Sequence, residues 1–296
     1  MSMIALQKLI ENTRVELFRL PQLNNHKNEL FIQRDDLIHA EISGNKLRKL
    51  KYNIKAYLDN ECSILVTFGG AFSNHLLATA AACNLLNIPV VGVVRGNELT
   101  KNSNQLLKHC FDLGMELIFE YRSAFSELKS RNGVGNWNEK KAWFVPEGGA
   151  NNEGILGCEE ILDATVSYDF ICVAQGTSTT SLGLLKSIQN ETKLIAVPVL
   201  KGYDSFSEMR NLNIKILSTK KQQLIVLNQY HFGGYAKRNQ QLIDFIDSFN
   251  RINTFEIEPV YTGKAMFALH QFLINGQIEN KKVLFVHTGG LNKWIN

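Results

Sequence analysis

The 296-residue chain has no apolar run long enough to span a membrane, and its first residues lack the apolar core of a secretion signal, so a cytoplasmic protein with no membrane partner is expected. Its net charge is only +4, too small an excess to suggest a nucleic-acid partner. Cysteine is scarce and odd in number: Cys62, Cys83, Cys110, Cys158 and Cys172, all in or beside apolar stretches. That pattern excludes a disulfide frame and predicts reduced, mostly buried thiols. No two histidines form an H-x-x-x-H pair, so no metal site is expected. There is no internal repeat, no low-complexity tract and no Pro- or Ser-rich linker. Any second domain is therefore interleaved with the first.

What is present is a soluble globular composition, 45% apolar and 20% charged, with a length that allows one large or two medium domains. Short apolar runs alternate with helical patterns. Strands are predicted at Leu30–Gln33, Ile64–Phe68, Val90–Val94, Glu116–Phe119, Ala142–Val145, Phe170–Ala174, Leu194–Val199, Gln223–Leu227 and Val283–His287. Helices are predicted from Lys46 to about Leu58 and at Ser73–Leu86, Asn104–Leu113, Asn151–Val166, Thr179–Ser187, Asn239–Asn250 and Lys264–Leu273. Many of the strands are continuously apolar, as strands covered on both faces are. The alternation argues for α/β architecture with mainly parallel sheets. The polar stretch 130–141 reads as a surface loop.

Six places could carry chemistry. Ser43, Gly44 and Asn45 are turn and N-cap types leading into a helix, which puts Lys46 on its first turn beside backbone N–H groups that lack intrahelical partners. A lysine there is either a solvated surface group or one that loses its proton readily, as a Schiff base with an aldehyde cofactor requires. Strand Ile64–Phe68 runs into Gly69-Gly70-Ala71-Phe72-Ser73-Asn74-His75, where glycine lets backbone approach a ligand. The bland alternative is an ordinary N-cap. Strand Phe170–Ala174 runs into Gln175-Gly176-Thr177-Ser178-Thr179-Thr180-Ser181, a row of hydroxyls before a helix that suits a phosphate as well as it suits a simple turn. Tyr261, before Thr262-Gly263-Lys264, is a core aromatic, a stacking plate or an acid/base group. Tyr235 lies in the loop His231-Phe232-Gly233-Gly234-Tyr235, and the last strand ends in Thr288-Gly289-Gly290.

Together with the lead-in Arg34-Asp35-Asp36, the block Ser43–Lys49 and Pro259-Val260-Tyr261-Thr262-Gly263-Lys264, these segments resemble the family of pyridoxal-phosphate enzymes that contains 1-aminocyclopropane-1-carboxylate deaminase and D-cysteine desulfhydrase. The resemblance runs from about Arg34 to Gly290. It implies the tryptophan-synthase-β-like fold (fold type II), α/β with two open twisted, mainly parallel sheets and flanking helices. A small domain, residues 51–150, would be inserted into a larger cofactor-binding domain of residues 1–50 and 151–296, with pyridoxal 5'-phosphate between them. By the same resemblance Lys46 carries the Schiff base, Asn74 bonds the ring hydroxyl, and Gly176, Thr177, Ser178, Thr179 and Thr180 hold the phosphate with Lys49. Ser73, Asn74 and His75 would seat the substrate carboxylate. Tyr261 would lie beside the ring, with Lys46, Ser73 and Tyr261 as the catalytic set. Tyr235 and Thr288 would be substrate neighbours, and the protein a homodimer.

One position separates the two activities. Cyclopropane deaminases place Glu directly after the matching Tyr, facing the pyridine nitrogen; here Thr262 stands there, as in the desulfhydrases. A carboxylate keeps that nitrogen protonated and makes the ring a stronger electron sink. Opening an unactivated carbon ring needs that sink more than expelling a thiol does, so the expected reaction is β-elimination from a small amino acid such as D-cysteine. Ring opening of the cyclopropane acid is the alternative, and a non-catalytic binding protein on the same fold is a third reading. The chain departs from the family in reading Tyr235-Ala236-Lys237 where Tyr-Gly and a following Pro are usual, and in ending six residues after Gly290, where longer members continue into a helix.

Overall fold

A computed structural model describes residues 3–23, 27–42, 44–130, 137, 141–189, 191–276 and 278–291. The chain divides into two compact units, one drawn from the residues up to Glu11 and Ile38–Gly157, the other from Asn12–Leu37 and Cys158–Leu291.

The first unit holds helices α1 (Met3–Ile10), α2 (Asn45–Asp59), α3 (Asn74–Leu86), α4 (Gln105–Asp112) and α5 (Arg122–Ser130) and, as far as Gly157, α6 (Asn152–Glu159), with strands β3 (Ile64–Gly69), β4 (Val90–Arg95), β5 (Glu116–Glu120) and β6 (Ala142–Val145). The strands form one parallel sheet in the order β5-β4-β3-β6. Every residue of β3 is buried, as a central strand covered on both faces must be. Helix α3 is buried along most of its length, hence its run of alanines and leucines. Ser73 starts it, its hydroxyl accepting from Leu76 N–H at 3.3 Å.

The second unit holds β1 (Val15–Leu17), β2 (Glu29–Arg34), β7 (Phe170–Gln175), β8 (Lys193–Pro198), β9 (Leu224–Val226) and β10 (Lys282–His287), with α7 (Thr179–Ser187), α8 (Ser205–Lys220), α9 (Gln240–Ile252) and α10 (Thr262–Asn275). Its sheet runs β1-β2-β10-β7-β8-β9, parallel except for the edge strand β1. Helix α9 buries Leu242, Phe245, Ile246 and Phe249, one stripe at helical spacing, in the core formed with α10. No helix among the described residues is long and apolar enough to cross a membrane.

Several expectations need correction. Helix α2 is continuous across residue 50 and packs its Leu47, Leu50 and Ile54 into the first unit's core, and that unit takes in the residues up to Glu11 together with Ile38–Gly157, where a small domain of residues 51–150 is expected. The helix predicted over Asn151–Val166 stops at Glu159. Past it the Asp163 carboxylate accepts from Thr165 N–H and Oγ1–H at 2.8 and 2.7 Å, a local bond that competes with helix. Of the predicted surface loop, residues 131–136 and 138–140 lie outside the described residues. Trp137 is buried, packing edge-on against Phe144 with centroids 6.0 Å apart. The cysteines are all free, with Cys83, Cys110, Cys158 and Cys172 buried and Cys62 partly so.

Candidate active site

In the first unit the chain enters α2 through Gly44, whose φ of 61° and ψ of −141° make it the helix N-cap without a side-chain bond. A side chain is rarely accommodated at such a φ, so glycine is required there. Ser43 lies outside the described residues. Lys46, half-buried on the first turn, donates its Nζ proton to Asn45 Oδ1 at 2.9 Å. One turn on, the buried Lys49 donates to Gly148 O at 3.2 Å. Gly149, at φ 68°, lies so close that an added Cβ would sit 3.0 Å from Lys49 Cβ and 3.7 Å from His75 Cε1. Lys49, His75 and the turn after β6 are thus packed together, because β6 pairs directly with β3 and brings its end beside the start of α3.

Ser73, Asn74 and His75 occupy that start. His75 is only 2% exposed. Its Nε2 is 2.9 Å from Thr67 Oγ1, and Thr67 in turn donates to Val145 O at 2.9 Å. Burial, helped by the positive charges of Lys46 and Lys49, pulls the imidazole pKa down to about 3, so His75 is neutral in use. The unfolded chain takes up a proton on this residue as the pH falls below 6.5, while the folded one resists until about 3. His75 therefore costs no stability at neutral pH and costs progressively more as the pH falls through that window. Between pH 6.5 and 4 the cost is about 3 kcal/mol. Urea unfolding of a His75→Gln protein at those two pH values is expected to lose about that much less stability than wild type.

In the second unit β2, β10 and β7 are adjacent and parallel, so Arg34–Asp36, Thr288–Gly290 and Gly176–Thr180 emerge at the same edge of the sheet, the edge where open α/β sheets bind ligands. Arg34 pairs with Glu16 at 2.9 Å and with Asp36 at 2.8 Å and lies over the Phe255 ring. His287 bonds Glu256 O through Nε2 and accepts from Gly289 N–H through Nδ1. Arg34 pairs in register with His287, whose Nδ1 lies 3.6 Å from Asp36 Oδ1, so this signature stands beside the strand end that leads into Thr288.

The hydroxyl loop 176–180 divides by role. Ser178 Oγ accepts from Gln175 Nε2 at 2.8 Å and bonds Tyr203 Oη at 2.9 Å, while Ser205 donates to Gln175 Oε1. Its side chain is thus engaged in holding the loop. Thr177 and Thr179 hydroxyls are 3.3 Å apart. Ser181 Oγ is buried with no hydrogen-bond partner among the described residues. A Cβ on Gly176 would stand 3.1 Å from Tyr261 Cε1, so the Tyr261 ring closes over bare backbone. A glycine cradle, clustered hydroxyls and one unsatisfied hydroxyl fit a phosphate.

Tyr261 and Thr262 begin α10. Glu258 caps them: its Oε1 accepts from Tyr261 N–H at 2.8 Å, Thr262 N–H at 2.7 Å and Thr262 Oγ1–H at 3.2 Å, and its Oε2 from Val260 N–H. Burial pushes this carboxyl above the usual carboxylate range despite those donors. Lys264, with its pKa pulled down to about 8 by burial, donates to His231 O at 2.9 Å and Gly234 O at 2.7 Å. It thereby pins the loop that presents Tyr235, whose ring meets that of Tyr261 at 6.0 Å and 71°. Ala236 in this loop stands at φ 54°, where the family's glycine would be unstrained.

Sequence reasoning missed Thr67, Tyr203 and Glu258, and gave Gln175 no role of its own. Of these only Glu258 left a signal, as an acidic residue just ahead of a helix start; the others are supporting partners that no local spacing reveals.

The sequence model described as "Pyridoxal-phosphate dependent enzyme" matches residues 7–289. A provisionally named 1-aminocyclopropane-1-carboxylate deaminase of Pyrococcus furiosus is 31% identical over 89% of this chain and 85% of its own length. The similarly named protein of Pyrococcus horikoshii is 30% identical over the same shares. A crystal structure of an ACC deaminase homologue superposes with a TM-score of 0.77 at 26% identity, covering 98% of this chain and 95% of the other. The two mainly parallel sheets, the half-buried Lys46 and the glycine-and-hydroxyl loop after β7 thus stand in a chain that belongs to the pyridoxal-phosphate dependent enzymes, with their fold type II.

Proposed function

We propose that this enzyme removes a β leaving group from a small amino acid, with D-cysteine and water giving pyruvate, ammonia and hydrogen sulfide. The observation that carries the choice is Thr262, fully buried at the start of α10, where cyclopropane deaminases are expected to carry Glu. When bound, pyridoxal phosphate supplies a carbonyl carbon and a ring that withdraws electrons from the substrate α-carbon. Lys46 provides the amine for covalent attachment. Gly176, Thr177, Ser178, Thr179 and Thr180, with Lys49, hold the phosphate, Ser178 through its backbone. Asn74 bonds the ring hydroxyl, Tyr261 stacks beside the ring and Thr262 meets its nitrogen. Ser73 and Asn74 take the substrate carboxylate, and Tyr235 and Thr288 border the substrate. Lys46 Nζ or Tyr261 Oη takes the α-proton. The active protein is a homodimer, which sedimentation of the purified enzyme tests.

The second reading, ring opening of 1-aminocyclopropane-1-carboxylate with water to 2-oxobutyrate and ammonia, draws on a specific observation. Thr262 Oγ1 donates to the Glu258 carboxyl at 3.2 Å, so an acidic group stands one hydroxyl behind the position assigned to face the nitrogen. The names of the Pyrococcus relatives favour the same reading. Assays of pyruvate from D-cysteine and of 2-oxobutyrate from the cyclopropane acid decide between them. Thr262→Glu is expected to raise ring opening relative to β-elimination, by about tenfold if the charge is worth ~1.4 kcal/mol in the transition state. If neither substrate is consumed and the protein stays colourless with added cofactor, the non-catalytic reading stands instead.

A further inference from the structure

Lys264 is a wholly buried amine that the proposed reaction does not use. Its Nζ donates to two carbonyls of one turn, His231 O at 2.9 Å and Gly234 O at 2.7 Å. Each of these oxygens also accepts from backbone in the loop: His231 O from Gly234 N–H at 3.0 Å, and Gly234 O from Lys237 N–H at 3.1 Å. The amine thus closes over both ends of a turn that is already hydrogen-bonded. Between Phe232 and Ala236 the backbone is strained. Phe232 stands at φ 51°, Gly233 at 94°, Gly234 at 114° and Ala236 at 54°. Glycine takes such angles freely, whereas phenylalanine and alanine adopt them only under constraint. A cation between two carbonyl oxygens supplies that constraint, since a charged donor makes the stronger hydrogen bond. Burial leaves the amine with a pKa of about 8, so the charge is present at neutral pH. The side chain that this loop carries is Tyr235, whose hydroxyl is hydrogen-bonded to that of Tyr261. Tyr261 and Lys264 lie one turn apart at the start of the same helix, α10.

We infer that Lys264 is a positioning residue: its ammonium fastens the loop 231–237 to α10 and so holds Tyr235 against Tyr261 as one wall of the substrate site. The amine itself touches no substrate. Its effect on the reaction passes through Tyr235. That effect rests on the proposed reading of Tyr235 as a substrate neighbour; the fastening of the loop does not.

The test compares the holoenzyme with Lys264→Met, which keeps the length of the side chain and removes its donors, by hydrogen exchange and steady-state kinetics. Each carbonyl retains its backbone donor, so the variant is expected to fold. The amides of Gly234 and Lys237 should exchange about tenfold faster than in wild type, while Ala265 inside α10 keeps its protection. KM for D-cysteine or the cyclopropane acid should rise about tenfold with a smaller change in kcat. In a Tyr235→Ala background the same substitution should add nothing further to KM, as for two residues that act as one. Lys264→Gln, which keeps two N–H donors without the charge, should fall between wild type and Lys264→Met, and it takes the place of the Met variant if that one does not fold. Unchanged exchange at Gly234 and Lys237 overturns the fastening. KM effects that simply add in the double variant overturn the action through Tyr235. If Tyr235→Ala alone leaves KM unchanged, or neither amino acid is consumed, the proposed substrate site fails, and the exchange result still decides the fastening.

Discussion

Lys46→Ala is expected to bind pyridoxal phosphate without covalent attachment, to yield no borohydride-trapped lysine peptide, and to lose activity by about 10³-fold or more, since it removes the proposed attaching amine and a candidate α-proton base together. Its stability should barely change. Lys46 is half-buried, its Nζ is hydrogen-bonded to the neighbouring Asn45, and alanine is the better helix former at that place in α2. The apolar anchors Leu47, Leu50 and Ile54 are untouched. Melting within a few degrees of wild type combined with loss of the trapped peptide would separate chemistry from fold. A trapped peptide that persists in the variant, carrying a different lysine, would remove Lys46 from its assigned role.

Gly157→Ala is expected to do the reverse, destroying the fold without touching a reacting group. A Cβ on Gly157 would stand 1.8 Å from the carbonyl oxygen of Arg48 and 2.6 Å from its carbon. Both obstacles are backbone in the interior of α2, so no side-chain rotation relieves them. Either α6 moves away from α2 or α2 itself bends, and each exposes core packed around Leu47 and Leu50. The loss should exceed about 3 kcal/mol, seen as poor soluble yield or a melting temperature lower by roughly 10 °C. Gly70→Ala is the control: its Cβ would meet only the flexible end of Arg95, at 3.4 Å, and should cost less than about 1 kcal/mol. Equal stability of the two variants would mean that α6 does not approach α2 so closely.

Much of the architecture was legible because continuous apolar runs such as Val90–Val94 and periodic ones such as that of α9 carry their burial in their order. Elements whose stability comes from elsewhere were not. β1 is three residues on a sheet edge with Val15 and Leu17 exposed. α8 is interrupted by Asn213 at φ −160°, which blurs its periodicity. The candidate site divides in the same way. Ser73 and Gly176 lie at strand-to-helix junctions and Lys46 on the first turn of a helix, where residue type and position coincide. Glu258 behind Thr262, Lys264 under the Tyr235 loop and Thr67 behind His75 act through the partners that packing supplies.

The sequence alone determined the alternation of strand and helix and the free, mostly buried thiols, since each follows from local composition and spacing; the junctions proposed to hold the cofactor came from resemblance to a family. Only the tertiary structure decided which hydroxyls are spent on their neighbours, that Thr67 stands behind His75, and that the Glu258 carboxyl lies one hydrogen bond behind Thr262. These depend on which side chains are brought within about 3 Å of one another, and a hydrogen bond's direction is settled by the whole chain of donors and acceptors, not by any one residue in it.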